Sequence, residues 1–223
     1  MLPLISVTDV VKEYGAGDNK VQVLSKINLS IQPNTLVALK GRSGSGKTTL
    51  INIMGALDYP SDGKVLFENS DISKLSEKER TEFRRKKIGF IFQSFGLVPL
   101  MTVEENIEFG LRVAGTPREE WAERVQDALE LVGLTKRASH HPFELSGGEQ
   151  QRCAIARAIA PSPSIILADE PTAELDSKTA FQIITRFKKL VEEKKTTIVM
   201  TTHDPAILEM IEHVFELEDG KIA

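Results

Sequence analysis

Gly41-Arg42-Ser43-Gly44-Ser45-Gly46-Lys47-Thr48 follows the apolar run Leu36-Val37-Ala38-Leu39, and no other segment constrains the fold of this chain so tightly. A strand must enter this glycine-rich turn and a helix must leave it, because only that arrangement rings an anion with backbone N–H donors. The glycines let the backbone approach the anion and take positive φ without a Cβ penalty. In such a loop Lys47 reaches the outer phosphates of a nucleotide as a point charge, and the Thr48 hydroxyl is a ligand for Mg²⁺. The helix opening near Lys47 points its positive end at the same anion.

A chain of 223 residues, 41% hydrophobic and 27% charged, has the composition of an ordinary globular protein with one sizeable core or a core plus a helical insert. Its formal net charge of -4 argues against nucleic-acid binding through general positive charge. A single cysteine, Cys153, excludes an internal disulfide and fits a reducing compartment, and its helical context reads as a packed thiol. The N-terminal stretch has no basic n-region and is cut short by Asp9, so it reads as a strand rather than a signal peptide. No apolar run approaches the ~20 residues of a membrane span, so any membrane role is expected to come through a partner.

Alternation in Ile5–Val11 and Val21–Ile31 predicts antiparallel strands joined through Gly15-Ala16-Gly17-Asp18-Asn19. Gly63–Phe67 is a further short strand, and Ser76 with Glu79 forms a capping box for a charged helix to about Lys86. Ile88-Gly89-Phe90-Ile91-Phe92 reads as a fully buried strand. Thr102 with Glu105, and Thr116 with Glu119, predict two more capped helices, the second ending near Gly133. Strand-like runs are missing from about 95 to 163, which marks a helical subdomain. Ile165–Ala168, Thr197–Thr202 and Val214–Leu217 are strands, with a long helix from Ser177 to Lys194 between the first two. That alternation implies a parallel sheet covered by helices. There is no internal repeat and no low-complexity linker.

Ile165–Ala168 ends in Asp169-Glu170. Ligands of open α/β sheets sit at the carboxyl ends of the strands, so both acids are expected to face the crevice of the phosphate loop. Asp169 suits Mg²⁺, which uses few carboxylates and keeps several waters, while Glu170 is placed to take a proton from an attacking water. In Leu145-Ser146-Gly147-Gly148-Glu149, Ser146 is a good N-cap and the paired glycines bare their N–H groups, which makes a second anion-binding helix terminus.

With these segments in this order, the chain resembles the ATPase subunits of ABC transporters along essentially its whole length. Gln93 falls where that family has its Q-loop glutamine, and Ala173-Glu174-Leu175-Asp176 looks like the D-loop. His203 matches the switch histidine, and Tyr14 the aromatic ring that stacks on adenine. The fold class implied is α/β: a P-loop NTPase core with a mixed, mainly parallel sheet, an antiparallel β subdomain and an α-helical subdomain. The resemblance divides the single domain 1–223 into a core of 1–94 with 163–223 and a helical signature subdomain of 95–162. It also implies a head-to-tail homodimer around two ATP. Gly41, Arg42, Ser43, Gly44, Ser45, Gly46, Lys47, Thr48 and Thr49 of one copy, with Tyr14, would hold each nucleotide, together with Ser146, Gly147, Gly148 and Glu149 of the other. Thr48, Gln93 and Asp169 would bind Mg²⁺; Glu170, Gln93 and His203 would be catalytic; Asp176 would sit in the D-loop. ATP and Mg²⁺ are the cofactors implied, and an integral membrane permease is the partner, holding the chain at the inner face of the membrane.

Some positions depart from the family pattern. Glu149 replaces the commoner glutamine, Lys40 and Arg42 add positive charge beside the loop, and Glu174 puts a carboxylate at the expected dimer seam. The Ile88–Pro99 and Pro171–Ser177 segments look most like the branch serving lipoprotein release, macrolide export and antimicrobial-peptide resistance, and a permease element is expected on the helical face of Thr102–Gly115. Arg84-Arg85-Lys86-Lys87 reads as a solvated helix face, and Trp121 as core or docking surface. The sequence ends soon after Gly220, so a regulatory C-terminal domain like that of many importer ATPases is not expected, while a fused permease beyond Ala223 stays open. Two other classes share the engine. One is an ATP-gated adaptor of a non-transporting membrane partner, as in cell division. The other is a soluble ATPase of DNA repair or translation, whose long inserts or second cassette this chain does not carry.

Overall fold

The structure, a computed structural model, describes residues 2–223. Its elements run β1 (Ile5–Tyr14), β2 (Val21–Ile31), β3 (Leu36–Lys40), α1 (Lys47–Met54), β4 (Asp62–Phe67), β5 (Ser70–Asp71), α2 (Glu77–Lys87), β6 (Ile88–Ile91) and α3 (Val103–Ala114). They continue with α4 (Trp121–Val132), α5 (Gly147–Ile159), β7 (Ile165–Ala168), α6 (Ser177–Lys194), β8 (Thr197–Thr201), α7 (Pro205–Leu208), β9 (His213–Glu218) and β10 (Lys221–Ile222). Among the described residues there is no strand between β6 and β7, as the missing strand patterns imply.

A central sheet has the order β10-β9-β3-β8-β7-β6, parallel from β9 to β6, with β10 antiparallel at one edge. The second sheet, β2-β1-β4-β5, is antiparallel. Registers align the strand exits: Leu39 lies beside Thr201, Met200 beside Ala168, and Ala168 beside Ile91. The residues that follow β3, β6, β7 and β8 therefore emerge along one edge.

Period-two alternation sorts the central strands into two cores. Val37, Leu39, Ile165, Leu167 and Val199 face α1 and the antiparallel sheet. Leu36, Ala38, Ile166, Ala168, Ile198 and Met200 face the helices α3, α4, α5 and α6. Both faces are covered, which is why β7 is apolar throughout, β8 is apolar between its terminal threonines, and both are buried at every position. In α3 the buried residues Val103, Ile107 and Leu111 recur at helical spacing, each worth about 1.5–3 kcal/mol of burial.

Two expectations need correction. Ile88–Phe92 is not uniformly buried: the strand stops at Ile91, Ile88 and Phe90 are half-buried, and Phe92 is exposed and stacked on Phe90. The reason is position, since β6 is the sheet's outer strand and pairs only with β7. Thr116 with Glu119 does not cap a helix. Gly115 takes φ 76° at the end of α3 and Thr116 donates back to the Leu111 carbonyl (3.0 Å), so Thr116 belongs to the closing motif of the preceding helix. Pro117 and a short 3₁₀ turn follow, and α4 opens at Trp121, whose Nε1 donates to the Thr116 carbonyl (2.9 Å). The capping boxes at Ser76 and Thr102 form as expected.

Buried Arg80 of α2 donates to the Ala56 carbonyl through Nε (2.9 Å) and Nη2 (2.6 Å), and Arg84 adds a third donor at 2.7 Å. Ala56 has φ 53°, so these guanidinium groups fix a tight exit from α1 and with it the position of Leu57 and Asp58. Arg84 is thus anchored, not simply solvated. Cys153 is buried, and loss of solvent pushes its thiol up to about 12, which makes it an inert packed group.

Candidate active site

The loop after β3 is shaped by conformations that side chains resist. Gly46 sits at φ 103° as the residue before α1, where a Cβ would lie 2.7 Å from Leu24 Cδ2. Gly44, at φ 80°, faces open space. No side chain caps α1 and its first turn holds no acid, so its N–H groups remain for an anion. Lys47, only 9% exposed, donates to the carbonyls of Gly41 (2.8 Å) and Arg42 (2.9 Å). Its charge is thereby held inside the loop. The buried Ser45 hydroxyl has no hydrogen-bond partner among the described residues, which suits a cradle built for a phosphate. Arg42 is exposed, and Lys40 is paired with Glu216 at 2.7 Å, so the extra positive charge expected from Lys40 is neutralised.

Across the strand ends, Asp169 takes one hydroxyl on each carboxylate oxygen: Thr48 Oγ1 at 2.8 Å and Thr201 Oγ1 at 2.6 Å. The hydroxyl of Thr201 also accepts from the Glu170 N–H (2.8 Å). Glu170 takes φ 48°, an uncommon backbone state for a residue of its kind, and its Oε1 lies 3.0 Å from His203 Nδ1. Glu170 is largely shielded while His203 is exposed. Gln93 is exposed in the turn after β6, on the same edge. Thr48 and Asp169 form a hard oxygen donor pair of the kind Mg²⁺ takes when phosphate and water complete its shell. The sequence reading missed Thr201. Its only signal was a hydroxyl ending an apolar strand beside Asp169's own.

Tyr14 ends β1 half-exposed, with its hydroxyl donating to Asp58 (2.8 Å), and Lys12 Nζ bonds the other Asp58 oxygen at 2.6 Å. Loss of solvent and the Asp58 hydrogen bond raise the Tyr14 hydroxyl above its ordinary range. Desolvation pushes the Asp58 carboxyl up, but the Lys12 and Tyr14 bonds outweigh it and hold the group low. The ring is braced from behind, and Lys12 Nζ lies 4.7 Å from its centroid.

At the start of α5, Ser146 and Glu149 form a full capping box. Glu149 accepts from the Ser146 N–H (2.9 Å) and hydroxyl (3.0 Å) and from Arg137 Nε (3.0 Å). The Ser146 N–H above all holds its carboxyl below the usual range, so Glu149 serves its own helix. Asp176 likewise caps α6, accepting from the Thr179 N–H (3.1 Å) and hydroxyl (2.5 Å). Glu174 lies against the signature glycines: a Cβ on Gly147 would be 3.8 Å from its Oε2, and one on Gly148 would be 3.3 Å from its carbonyl. Gln151, also missed from sequence, is buried and donates to the Pro171 carbonyl at 3.0 Å. α5 packs on one face of the central sheet and α1 on the other.

A central parallel strand feeding a glycine loop, with a hydroxyl-braced aspartate on a nearby strand exit, defines a P-loop nucleotide hydrolase. The ABC transporter family model matches residues 24–173. The chain is 44% identical over 223 residues to an uncharacterized ABC transporter ATP-binding protein of Methanocaldococcus jannaschii, covering 98% of this chain and 95% of that one. It is 41% identical over 222 residues to the lipoprotein-releasing system ATP-binding protein LolD of Geobacter metallireducens, covering 100% and 99%. The macrolide export ATP-binding/permease protein MacB of Syntrophobacter fumaroxidans is 42% identical over 99% of this chain, which spans 31% of that longer protein. Among solved structures, a dimeric post-hydrolysis state of the ATP-binding cassette MJ0796 bound to ADP and Pi superposes with a TM-score of 0.92 at 42% identity, covering 98% and 96%. The chain belongs to the ABC transporter family, as an ATP-binding subunit with ATPase activity that uses Mg²⁺.

Proposed function

We propose that two copies of this chain close head to tail around two ATP and drive a membrane permease of the lipoprotein-release or macrolide-export type from the inner face of the membrane. The observation that supports the dimer is that α1 and the signature helix α5 pack on opposite faces of the central sheet, so in this reading each phosphate site is completed by another copy. A second copy in inverted orientation supplies the missing half. The N-termini of α1 and of the partner copy's signature helix then clamp one polyphosphate, so ATP is the glue and its cleavage lets the copies part. The dimeric relative bound to ADP and Pi supports this reading.

Within that site Tyr14 stacks on adenine, the loop Gly41–Thr49 holds the phosphates, and Thr48, Asp169 and Gln93 hold the metal. Mg²⁺, when bound, neutralises charge developing on the terminal phosphate oxygens. Glu170 takes the proton of the attacking water, and His203, 3.0 Å from it, orients that carboxylate and meets the terminal phosphate. Ser146, Gly147 and Gly148 act on the other copy's nucleotide. Glu174 occupies the approach to that helix end in the resting chain. Glu174→Ala is therefore expected to tighten the ATP-driven dimer about 2- to 5-fold, the scale of a charge at an exposed helix terminus. Analytical ultracentrifugation with MgATP reads this, and an unchanged dimer dissociation constant would count against it.

Support for a permease comes from a groove between α2, β6 and α3, where Leu57, Phe92, Phe109 and Val113 are exposed beside Arg84, Arg85 and Lys86. Among the described residues no helix is long and apolar enough to cross a membrane, and the groove suits an apolar helix presented by a protein that does. Phe109→Asp should cut the yield of an integral membrane protein captured from detergent-solubilised membranes at least about tenfold, the effect of about 1.4 kcal/mol. Circular dichroism controls for folding. Capture in full yield by the Asp variant would refute this docking face, and a captured partner without a transport activity would favour the adaptor reading.

A further inference from the structure

We propose that Arg157 is a positioning residue for hydrolysis, tying the signature helix to the loop that carries Gln93. It lies in the last turn of α5, the helix whose first turn presents Gly147 and Gly148. Its guanidinium reaches across 61 and 62 residues of sequence to two successive carbonyls, those of Gly96 (Nη1, 2.5 Å) and Phe95 (Nη2, 2.8 Å). Both residues are left-handed, with φ 60° at Phe95 and 57° at Gly96. Phe95 is bulky, so this conformation persists only where the surroundings hold it. The planar guanidinium presents its two arms to these neighbouring carbonyls in a fixed, preorganised geometry.

The loop so held is short. Phe95 donates back to the Phe92 carbonyl at 3.2 Å, closing the turn that contains Gln93. A backbone shift of the turn at Gln93 therefore strains the contacts that Phe95 and Gly96 make with Arg157. Burial lowers the Arg157 pKa from the usual arginine range, and its guanidinium hydrogen bonds go to the loop carbonyls. Its stem is pinned by α3: a Cβ on Gly110 would lie 2.8 Å from the Arg157 carbonyl oxygen and 2.9 Å from its Cγ.

A second tie on the same helix, Gln151 to the Pro171 carbonyl, reaches the exit of the Asp169–Glu170 strand. One rigid helix thus connects the signature end, the Glu170 segment and the Gln93 turn. Arg157 also lines the groove beside Phe92 and Gly110, so an element docked there presses on the same joint. The inference rests on the ATPase reading and adds a residue through which that site is kept in register.

The test compares wild type, R157Q and R157K. Calorimetry gives MgATP affinity, phosphate release gives kcat and the Mg²⁺ concentration for half-maximal rate, and hydrogen exchange follows the amides of residues 94–97. Expected for R157Q is near-unchanged ATP affinity, a kcat lowered about 10- to 100-fold as for a small misplacement of a reacting group, a raised Mg²⁺ requirement, and faster exchange at 94–97. R157K keeps the charge but loses the fixed planar fork and is expected to fall between. A lowered melting temperature with wild-type kcat and Mg²⁺ dependence would overturn the proposal. Should R157Q fail to fold, wild-type kinetics in R157K would overturn it equally. Absence of hydrolysis in the wild type itself would refute the ATPase reading instead.

Discussion

Glu170→Gln is expected to bind ATP as the wild type does, hydrolyse it about 10²- to 10⁴-fold more slowly, and accumulate as an ATP-bound dimer. The substitution removes one basic oxygen and little else. Glu170 is fixed through its own N–H to Thr201 and through its unusual backbone state, neither of which depends on the carboxylate. Glutamine has the same shape and retains a polar contact to His203. The phosphate loop is held by Lys47 and the backbone, so affinity for the nucleotide should not change. What disappears is the acceptor for the proton of the attacking water. Since cleavage is what parts the two copies in the proposed cycle, blocking it traps them together. Size-exclusion chromatography with and without MgATP, beside phosphate release, reads both effects. A variant that remains monomeric with hydrolysis intact would reject Glu170 as the base.

The features that were legible in sequence are those whose chemistry forces a local backbone. Gly41–Thr48, the apolar run into Asp169-Glu170, the Ser146 cap and the α6 boundaries at Ser177 and Lys194 depend on residues close in the chain. One misreading, Ile88–Phe92, came from an edge position that an apolar run does not reveal, and the other from a signal with two local meanings. Thr116 and Glu119 have the spacing of a capping box, but the 6→1 bond from Thr116 to Leu111 claimed that residue for the helix before it. Ser146 and Glu149 carry the same spacing, and there the box does form, which turns Glu149 inward. Four ties were not legible because they join distant segments: Thr201 with Asp169, Asp58 with Tyr14, Gln151 with Pro171, and Arg157 with the Gln93 turn. A single chain shows which polar residues lie on a helix or strand, but only the packed sheet decides which carbonyl each one meets. Lys40 makes the point electrostatically, since its pairing with Glu216 required β9 to lie beside β3.

Lys47→Ala is expected to abolish measurable nucleotide binding. Lys47 has two tasks that the substitution removes together. Its ammonium is the buried cation of the loop, placed for the outer phosphates, and it also holds the Gly41 and Arg42 carbonyls so that the loop keeps its path. Truncating a buried, hydrogen-bonded charge costs roughly 2–5 kcal/mol, on the order of 30- to 5,000-fold in affinity. Calorimetry with MgATP should therefore detect no binding at concentrations that saturate the wild type, and MgATP should no longer raise the melting temperature. Lys47→Arg separates the two tasks. It preserves the charge but replaces a compact ammonium by a longer, planar guanidinium of different shape and reach. Weak binding by the Arg variant and none by the Ala variant assigns the larger share to charge, whereas equal loss in both assigns it to the shape of the loop. Unchanged affinity in the Ala variant would contradict the phosphate-loop site itself, because no other buried lysine side chain lies among the described residues of that loop.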